Sequence, residues 1–339
     1  MQNQPRKPGV RECFIARDGY IWLDVDYKTA ELCSLAQVCI DWFGYSDMGD
    51  AIRAGRDLHL DFAAKMARIS YDEAKQRLDA GDKVMKTLRQ QAKAANFGYP
   101  GGMGAKTFVE NDRKQPKPVG FTEDQARDLK YAWMDAYSEM DAYFKTNGKI
   151  VQEYGDYATY EQLYSGRLRG GVGYCDGCNT MFQGLTADGA KEALWLVTVD
   201  CYTNEKSPLW GSFPIIFVHD EIIVETPEEA LRKGAMERLC DLMVQGMQKY
   251  TPDVPVGVDP AVIRRWRKDA QLILVDGIPV THEDRPLTPE EQQKMDDLVN
   301  SSEYDRWWGS VELMVEPSRL PASKAPRVLQ RFGRMTVAA

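Results

Sequence analysis

The stretch Leu23-Asp24-Val25-Asp26-Tyr27-Lys28-Thr29-Ala30-Glu31-Leu32-Cys33-Ser34-Leu35 decides how the chain is read. The apolar residues Tyr20, Ile21, Trp22, Leu23 and Val25 describe a buried strand that ends on Asp26. A helix then begins near Ala30, with Leu32, Leu35 and Ala36 returning at helical spacing. A carboxylate at a strand end, followed by a tight turn into a helix, is held rigidly. That suits a metal ligand or an acid–base group. It equally suits a strand-ending turn, where aspartate is common.

With 339 residues, 43% of them hydrophobic, the chain can bury a core spread over two subdomains and further segments. No uninterrupted apolar run approaches the roughly 18 residues of a membrane span, and Met1–Lys7 lacks the apolar stretch of a signal peptide. Seven cysteines, an odd number on a long chain, point to a reducing compartment, so a cytoplasmic location is expected. Cys175 and Cys178 form one CxxC, but no second pair or histidine stands at zinc-ligand spacing, and small residues near a turn are the plainer reading. A net charge of −8 does not announce a nucleic-acid binder, although binding depends on where charges lie.

Along the chain, polar and glycine residues dominate from 44 to 57, and helical spacing resumes through Leu60, Phe62, Ala63 and Met66. Ser70-Tyr-Asp-Glu73 has the form of a capping box. Lys83–Asn96 predicts a helix broken at Gly98-Tyr-Pro-Gly-Gly102, and Thr122–Phe144 predicts another. A short hairpin is expected over Tyr154–Tyr164, a long helix over Phe182–Cys201, an amphipathic helix over Pro227–Tyr250 and a last strand at Pro255–Val258. Phe213–Glu225 is the clearest hairpin, two β-branched runs flanking His219-Asp220-Glu221 at the turn.

Three constellations stand out. Asp26 and Asp220 are carboxylates at the ends of apolar strands. As neighbours they would hold two Mg²⁺ ions ~3.5–4 Å apart, with substrate oxygens completing the shells; otherwise they are two unrelated turn residues. Arg89, Lys93 and Phe97 recur every fourth residue, on one face of a helix. That face suits a triphosphate held by charge while a base or sugar packs on the ring. The alternative is a solvated basic face with Phe97 in the core. Asn179 and Gln183, again four apart, suit minor-groove acceptors or simply a helix start.

Taken in order, these motifs resemble the polymerase domain of family A DNA polymerases, the bacterial DNA polymerase I type also found in phages. Asp26-Tyr27-Lys-Thr-Ala-Glu31-Leu32 is similar to the first catalytic motif, Arg89-x3-Lys93-x3-Phe97-Gly98 to the nucleotide-binding fingers helix, and Val218-His219-Asp220-Glu221 to the last catalytic motif. Asp57-Leu58-His59 and Asn179-x3-Gln183-Gly184 resemble a fingers element near the triphosphate and a primer–template contact.

The resemblance implies a mixed α/β fold: an antiparallel-sheet palm (1–45 and 170–275) with inserted helical fingers (46–169) and an extension of unassigned role (276–339). It implies template-directed DNA synthesis from dNTPs on primer–template DNA, with two Mg²⁺ ions at Asp26 and Asp220 and support from Tyr27, Glu221 and His219. Arg89, Lys93 and His59 would hold the triphosphate, with Lys93 placed to protonate pyrophosphate. Phe97 would pack on the nucleotide and Glu31 would crowd a 2′-hydroxyl. Asn179 and Gln183 would contact DNA.

Gly101, Cys33 and Cys175 depart from the family pattern, which usually has Tyr, Arg and a basic residue at these positions. Met1 precedes Asp26 so closely that no thumb or exonuclease fits before it, so a second polypeptide supplying both is expected, as in a split phage polymerase. The rival readings are a single-subunit RNA polymerase, against which Glu31 argues, and a catalytically idle DNA-binding or structural subunit. Arg264-Arg265-Trp266-Arg267-Lys268 reads either as a contact to the DNA backbone or as a surface around one packed tryptophan. In the tail, Trp307-Trp308 and the basic end read as a docking element or a solvated segment.

Overall fold

A computed structural model of the protein describes residues 10–282 except 116–117 and 268–269, together with residues 289 and 293. The chain divides into two units, Met1–Glu283 and Asp284–Ala339, and the fold is that of the first. Trp307-Trp308 and the basic end lie outside the described residues.

Strand β1 (Tyr20–Lys28) runs past Asp26 to Lys28, because that segment still pairs with the strand beside it. Thr29, at a left-handed φ of 50°, then turns the chain into α1 (Ala30–Phe43). Helices α2 (Asp47–Arg53), α3 (Leu58–Ala67), α4 (Tyr71–Asp79) and α5 (Lys83–Gly98) follow. Side chains of Ser46, Asp57, Ser70 and Asp82 cap them by accepting first-turn N–H bonds. A 3₁₀ turn at Tyr99–Gly101 ends α5 where Pro100 forbids a regular helix. Then come α6 (Ala105–Arg113), α7 (Glu123–Ala136) and α8 (Glu139–Tyr154).

A small hairpin, β2 (Tyr160–Glu161) with β3 (Leu168–Arg169), leads to the long α9 (Tyr174–Thr203). The hairpin β4 (Phe213–Val218) and β5 (Glu221–Pro227) precedes a 3₁₀ turn, α10 (Ala235–Gln248) and β6 (Gly257–Ile263). The hairpin β7 (Ile273–Val275) and β8 (Ile278–Val280) straddles position 276, where the extension was expected to begin.

Several local expectations shift for physical reasons. The segment after residue 44 forms α2, because Met48 and Ala51 are buried and Ser46 caps them. The expected Thr122–Phe144 helix breaks at Tyr137–Ser138, where the Asp47 carboxylate accepts from the Ser138 N–H (2.9 Å) and hydroxyl (2.6 Å). The hairpin expected at 154–164 falls at 160–169, since α8 extends to Tyr154. Helix α9 begins at Tyr174, ahead of the expected Phe182, so Asn179 lies inside it together with Gln183. Gly234, at φ 85°, separates the 3₁₀ turn from α10 within the helix expected over Pro227–Tyr250.

The sheet has the order β4-β5-β1-β6 and is antiparallel throughout, so the fold is the expected mixture of helices and antiparallel sheet. Alternation along β1 sends Ile21, Leu23, Val25 and Tyr27 into the main core. There the Tyr27 hydroxyl donates to the Met243 carbonyl on α10 (2.6 Å). Helices α9 and α10 close beneath the sheet, and Gly246 permits it: a Cβ there would come within 2.4 Å of the Ala193 backbone nitrogen. The opposite face carries a smaller cluster of Trp22, Ile216, Val218, Ile223, Ala261, Ile263 and Trp266. Among the described residues there is no separate thumb or exonuclease domain.

Candidate active site

The outer face of the sheet is acidic for a simple reason. Asp24 and Asp26 follow Trp22 at a spacing of two on β1, and Glu221, Ile223 and Glu225 alternate likewise on β5. In register, Asp26 stands between Glu221 on β5 and Asp259 on β6. Asp220 is in the tight turn between β4 and β5, where His219 takes a left-handed φ of 58°. Distant in sequence, Asp26 and Asp220 are thus brought side by side, close enough to hydrogen-bond each other. A cavity of about 620 Å³ opens over them, where the carboxylates Asp24, Asp26, Asp220, Glu221 and Asp259 outnumber the guanidinium groups of Arg11 and Arg267.

Some of these charges are matched. Glu225 accepts from Arg17 Nε (2.6 Å) and Trp22 Nε1 (3.2 Å), and Lys28 reaches Asp259 (2.8 Å). Glu221 accepts from Trp266 Nε1 (2.7 Å) and lies 4.0 Å from Arg11. Among the described residues, Asp24, Asp26 and Asp220 have no ion-pair partner. Burial and then the Asp220 charge push Asp26 up to about 7, although its outer edge meets solvent. Burial also raises Asp220, with Glu31 and Glu221 adding to it, and raises Asp24 well above the usual range, with Glu221 and Asp26 adding. Crowded carboxylates at a cleft, short of positive charge, are the donor set a hard divalent cation takes. Among the described residues no three acidic, histidine or cysteine side chains converge into a closed cage, so other oxygens would have to complete the shell.

A pH dependence follows. A carboxylate whose folded value is raised from 3.8 to about 7 binds more protons in the folded chain. Its contribution to stability is full below about pH 4 and is lost as pH rises through 7. Without metal, the melting temperature should therefore fall across this window. Added Mg²⁺ should raise it more at pH 8 than at pH 5, and Asp26→Asn should flatten both trends. Thermal melts at the two pH values check this; an equal Mg²⁺ effect at both would contradict the assignment.

Arg89, Lys93 and Phe97 share one face of α5, as their spacing predicted. Phe97 is 51% exposed and so is not a core residue. The Lys93 ammonium lies 6.0 Å from its ring centre and the His59 ring 5.5 Å away. Arg89 is partly engaged: Nε (3.1 Å) and Nη2 (2.5 Å) both donate to Asp57 Oδ2. The other Asp57 oxygen caps α3 through His59 N and Leu60 N. Burial alone would raise Asp57, but these bonds and the Arg89 charge hold it below its usual value.

Glu31 opens α1, half-buried; burial raises its carboxyl, and the charge of the exposed His219 nearby opposes that rise. Asn179 and Gln183 occupy successive turns of α9, Gln183 exposed and Asn179 half-buried against the end of α5. A Cβ on Gly101 would meet the Asn179 amide at 2.6 Å, so a side chain there would displace that amide. The Tyr27 side chain is turned away into the core, leaving only its backbone at the carboxylates. Cys33 is a core residue whose thiol donates to the Pro255 carbonyl (3.8 Å). Cys175 is exposed and Cys178 buried, both as free thiols. Trp266 is buried as the packed-tryptophan reading requires, while Arg264 pairs with Glu228 (2.7 Å) and Arg265 donates to the Glu12 carbonyl (3.3 Å).

Sequence reading passed over Asp24, Asp259, Asn96 and Trp133, and gave Arg11 no role beyond its place in the resemblance. Asp24 had a signal: two residues before Asp26 in a strand means the same face. The others depend on long-range pairing, for which one sequence carries no mark.

Fold and acidic sheet face together define a polymerase-type core. The sequence profile of DNA polymerase family A matches residues 1–268, and the chain belongs to that family. It is 23% identical over 278 residues to DNA polymerase I of Borreliella burgdorferi, covering 78% of this chain and 27% of that protein. To the thermostable DNA polymerase I of Thermus filiformis it is 28% identical, covering 77% and 29%. To the DNA polymerase of Mycobacterium phage D29 it is 28% identical, covering 76% and 36%. The chain thus spans about a quarter to a third of the length of these relatives. Among solved structures, the POL domain of Pol1 from M. smegmatis, in complex with DNA primer-template and dNTP, has the same fold with a TM-score of 0.59. It is 21% identical, covering 78% of this chain and 44% of that one. No helix among the described residues is long and apolar enough to cross a membrane.

Proposed function

We propose that this chain carries out template-directed DNA synthesis, joining a deoxyribonucleotide to a primer 3′-hydroxyl with release of pyrophosphate. The observation that carries the reading is the meeting of Asp26 and Asp220 across adjacent strands, at the floor of an acidic cleft short of cations. We assign palm to 1–45 and 170–275 and fingers to 46–169, a bacterial or phage-infected cytoplasm being the setting.

Asp26 and Asp220, with the Tyr27 backbone and Glu221 beside them, would hold two Mg²⁺ ions. Bound there, the ions supply Lewis-acid activation of the hydroxyl and neutralise charge on the departing pyrophosphate. The primer oxygen forms its bond to the α-phosphorus as the bond to pyrophosphate breaks. Lys93 gives a proton to the pyrophosphate oxygen, and Arg89 and His59 grip the triphosphate. Arg89 has Nη1 for this while Nε and Nη2 stay on Asp57. Phe97, exposed on the same helix face, packs on the incoming nucleotide. Glu31 crowds a 2′-hydroxyl. Asn179 and Gln183 contact primer–template DNA, and His219 supports the primer end.

Phosphate contacts supply much of a protein's grip on duplex DNA. The reading includes a second polypeptide that supplies thumb and exonuclease and, with them, further contacts of that kind.

The test is extension of a labelled primer–template at low salt, with dNTPs or rNTPs, with and without Mg²⁺. Mg²⁺-dependent extension favouring dNTPs is expected, stimulated by a separately made thumb–exonuclease chain, with Glu31→Ala relaxing the sugar preference. Neither extension nor nucleotide binding, with the second chain present, would leave the idle-subunit reading in its place.

A further inference from the structure

We propose that Asn96, oriented by Trp133, is a positioning residue that fixes His59 as a neutral imidazole carrying its proton on Nε2. The inference follows from donor and acceptor chemistry along one buried chain of bonds. Trp133 is fully buried on α7 and Asn96 is 1% exposed on α5. The indole N–H can only donate, and it donates to Asn96 Oδ1 at 2.8 Å. That contact settles which end of the amide is oxygen. Asn96 Nδ2, which can only donate, therefore faces His59 Nδ1 at 3.0 Å.

Nδ1 must then be the bare lone pair, and a neutral ring carries its one proton on Nε2. A doubly protonated ring would set two donors against each other in a buried contact, which is costly. Burial independently holds the His59 value down to about 4, with Arg89 and Lys93 adding to the effect and Asp57 opposing it. Tyr137, just after α7, packs against Trp133 with ring centres 5.7 Å apart, and its hydroxyl donates to the Leu58 carbonyl (3.3 Å).

The consequence concerns the nucleotide site, so it rests on the function proposed above. Arg89 and Lys93 already bring two positive charges to this face. A His59 locked in this form adds a directed N–H donor for a phosphate oxygen without adding a third charge. Among the described residues Nε2 has no hydrogen-bond partner, whereas Nδ1 is committed. Asn96 and Trp133 would touch no substrate; they act through His59.

The test is long-range ¹H–¹⁵N NMR on the full chain with labelled histidine. The sequence has only three histidines, and His59→Gln assigns the ring. At pH 7 the expected pattern is an unprotonated-type Nδ1 and a protonated-type Nε2. Asn96→Asp sets a carboxylate oxygen against Nδ1 and should move a proton there. Trp133→Phe removes the donor that orients the amide and should give a mixture of forms. Where the altered ring loses its Nε2 proton, the dNTP KM should rise about tenfold, the scale of one hydrogen bond to a charged group, with kcat less affected.

A wild-type His59 with its proton on Nδ1, or doubly protonated at pH 7, overturns the proposal. So does a wild-type pattern unchanged in both folded variants. Failure of the nucleotide reading is separable: the Nε2-protonated pattern would stand, supporting the lock, but dNTP addition would shift no His59 resonance.

Discussion

Asp220→Asn should lower primer extension by about 10³-fold or more, equivalent to ~4 kcal/mol on the barrier, while leaving duplex binding nearly unchanged. The substitution keeps the size and hydrogen-bonding shape of the side chain, and asparagine suits a tight turn as aspartate does. What it removes is one of two adjoining negative charges. A second outcome separates loss of chemistry from loss of fold. The Asp220 carboxyl is raised by burial and by its acidic neighbours, so its charged form costs stability at neutral pH. The metal-free variant should therefore melt higher than wild type at pH 8, and Asp26, relieved of its neighbour, should titrate below about 7. Single-turnover extension, DNA binding and thermal melts measure the three effects. Retained activity would remove Asp220 from the site, and a lower melting temperature would make its role structural.

Trp266→Ala should destabilise the chain by ~3–5 kcal/mol, the usual cost of emptying a buried aromatic site. Trp266 is fully buried on the outer face of the sheet. Phe14 packs edge-on against it at 5.9 Å and Arg11 covers its ring at 4.3 Å, so it pins the N-terminal segment to the sheet. Its Nε1–H also donates to Glu221 (2.7 Å), which lowers a carboxyl that burial would otherwise raise further. Trp266→Phe separates the two contributions: most of the packing is kept, but Glu221 loses its donor and should take up a proton at higher pH. Urea unfolding gives the stability terms and pH-dependent melts the second effect. A cost below about 1 kcal/mol for the alanine variant would mean that the outer cluster collapses to fill the space.

Much of this arrangement was legible in the sequence because its signals are local. The strand at Tyr20, the turn into α1, the helix at Lys83 and the His219-Asp220 hairpin each announce themselves through periodicity, caps or turn residues. The spacing of Arg89, Lys93 and Phe97 also fixed a common face before any packing was known. Break points were harder. The stop at Tyr137–Ser138 depends on the Asp47 carboxylate, far away in the chain, and no window around Ser138 contains it. The early start of α9 likewise went unread, because Gly177 sits in it against the Tyr160 ring.

By itself, the sequence determined which side chains share a face, since strand and helix periods are set by backbone geometry alone. It also determined the order of motifs that marks the family. Tertiary structure alone decided that β1 and β5 are neighbours, so that Asp26 meets Asp220 and both have raised carboxyl values. It alone placed Asp57 on Arg89, and Asn96 between Trp133 and His59. The physical reason is that charge and hydrogen-bonding state depend on what lies within a few ångströms through space, and one chain does not encode those distances in any local pattern.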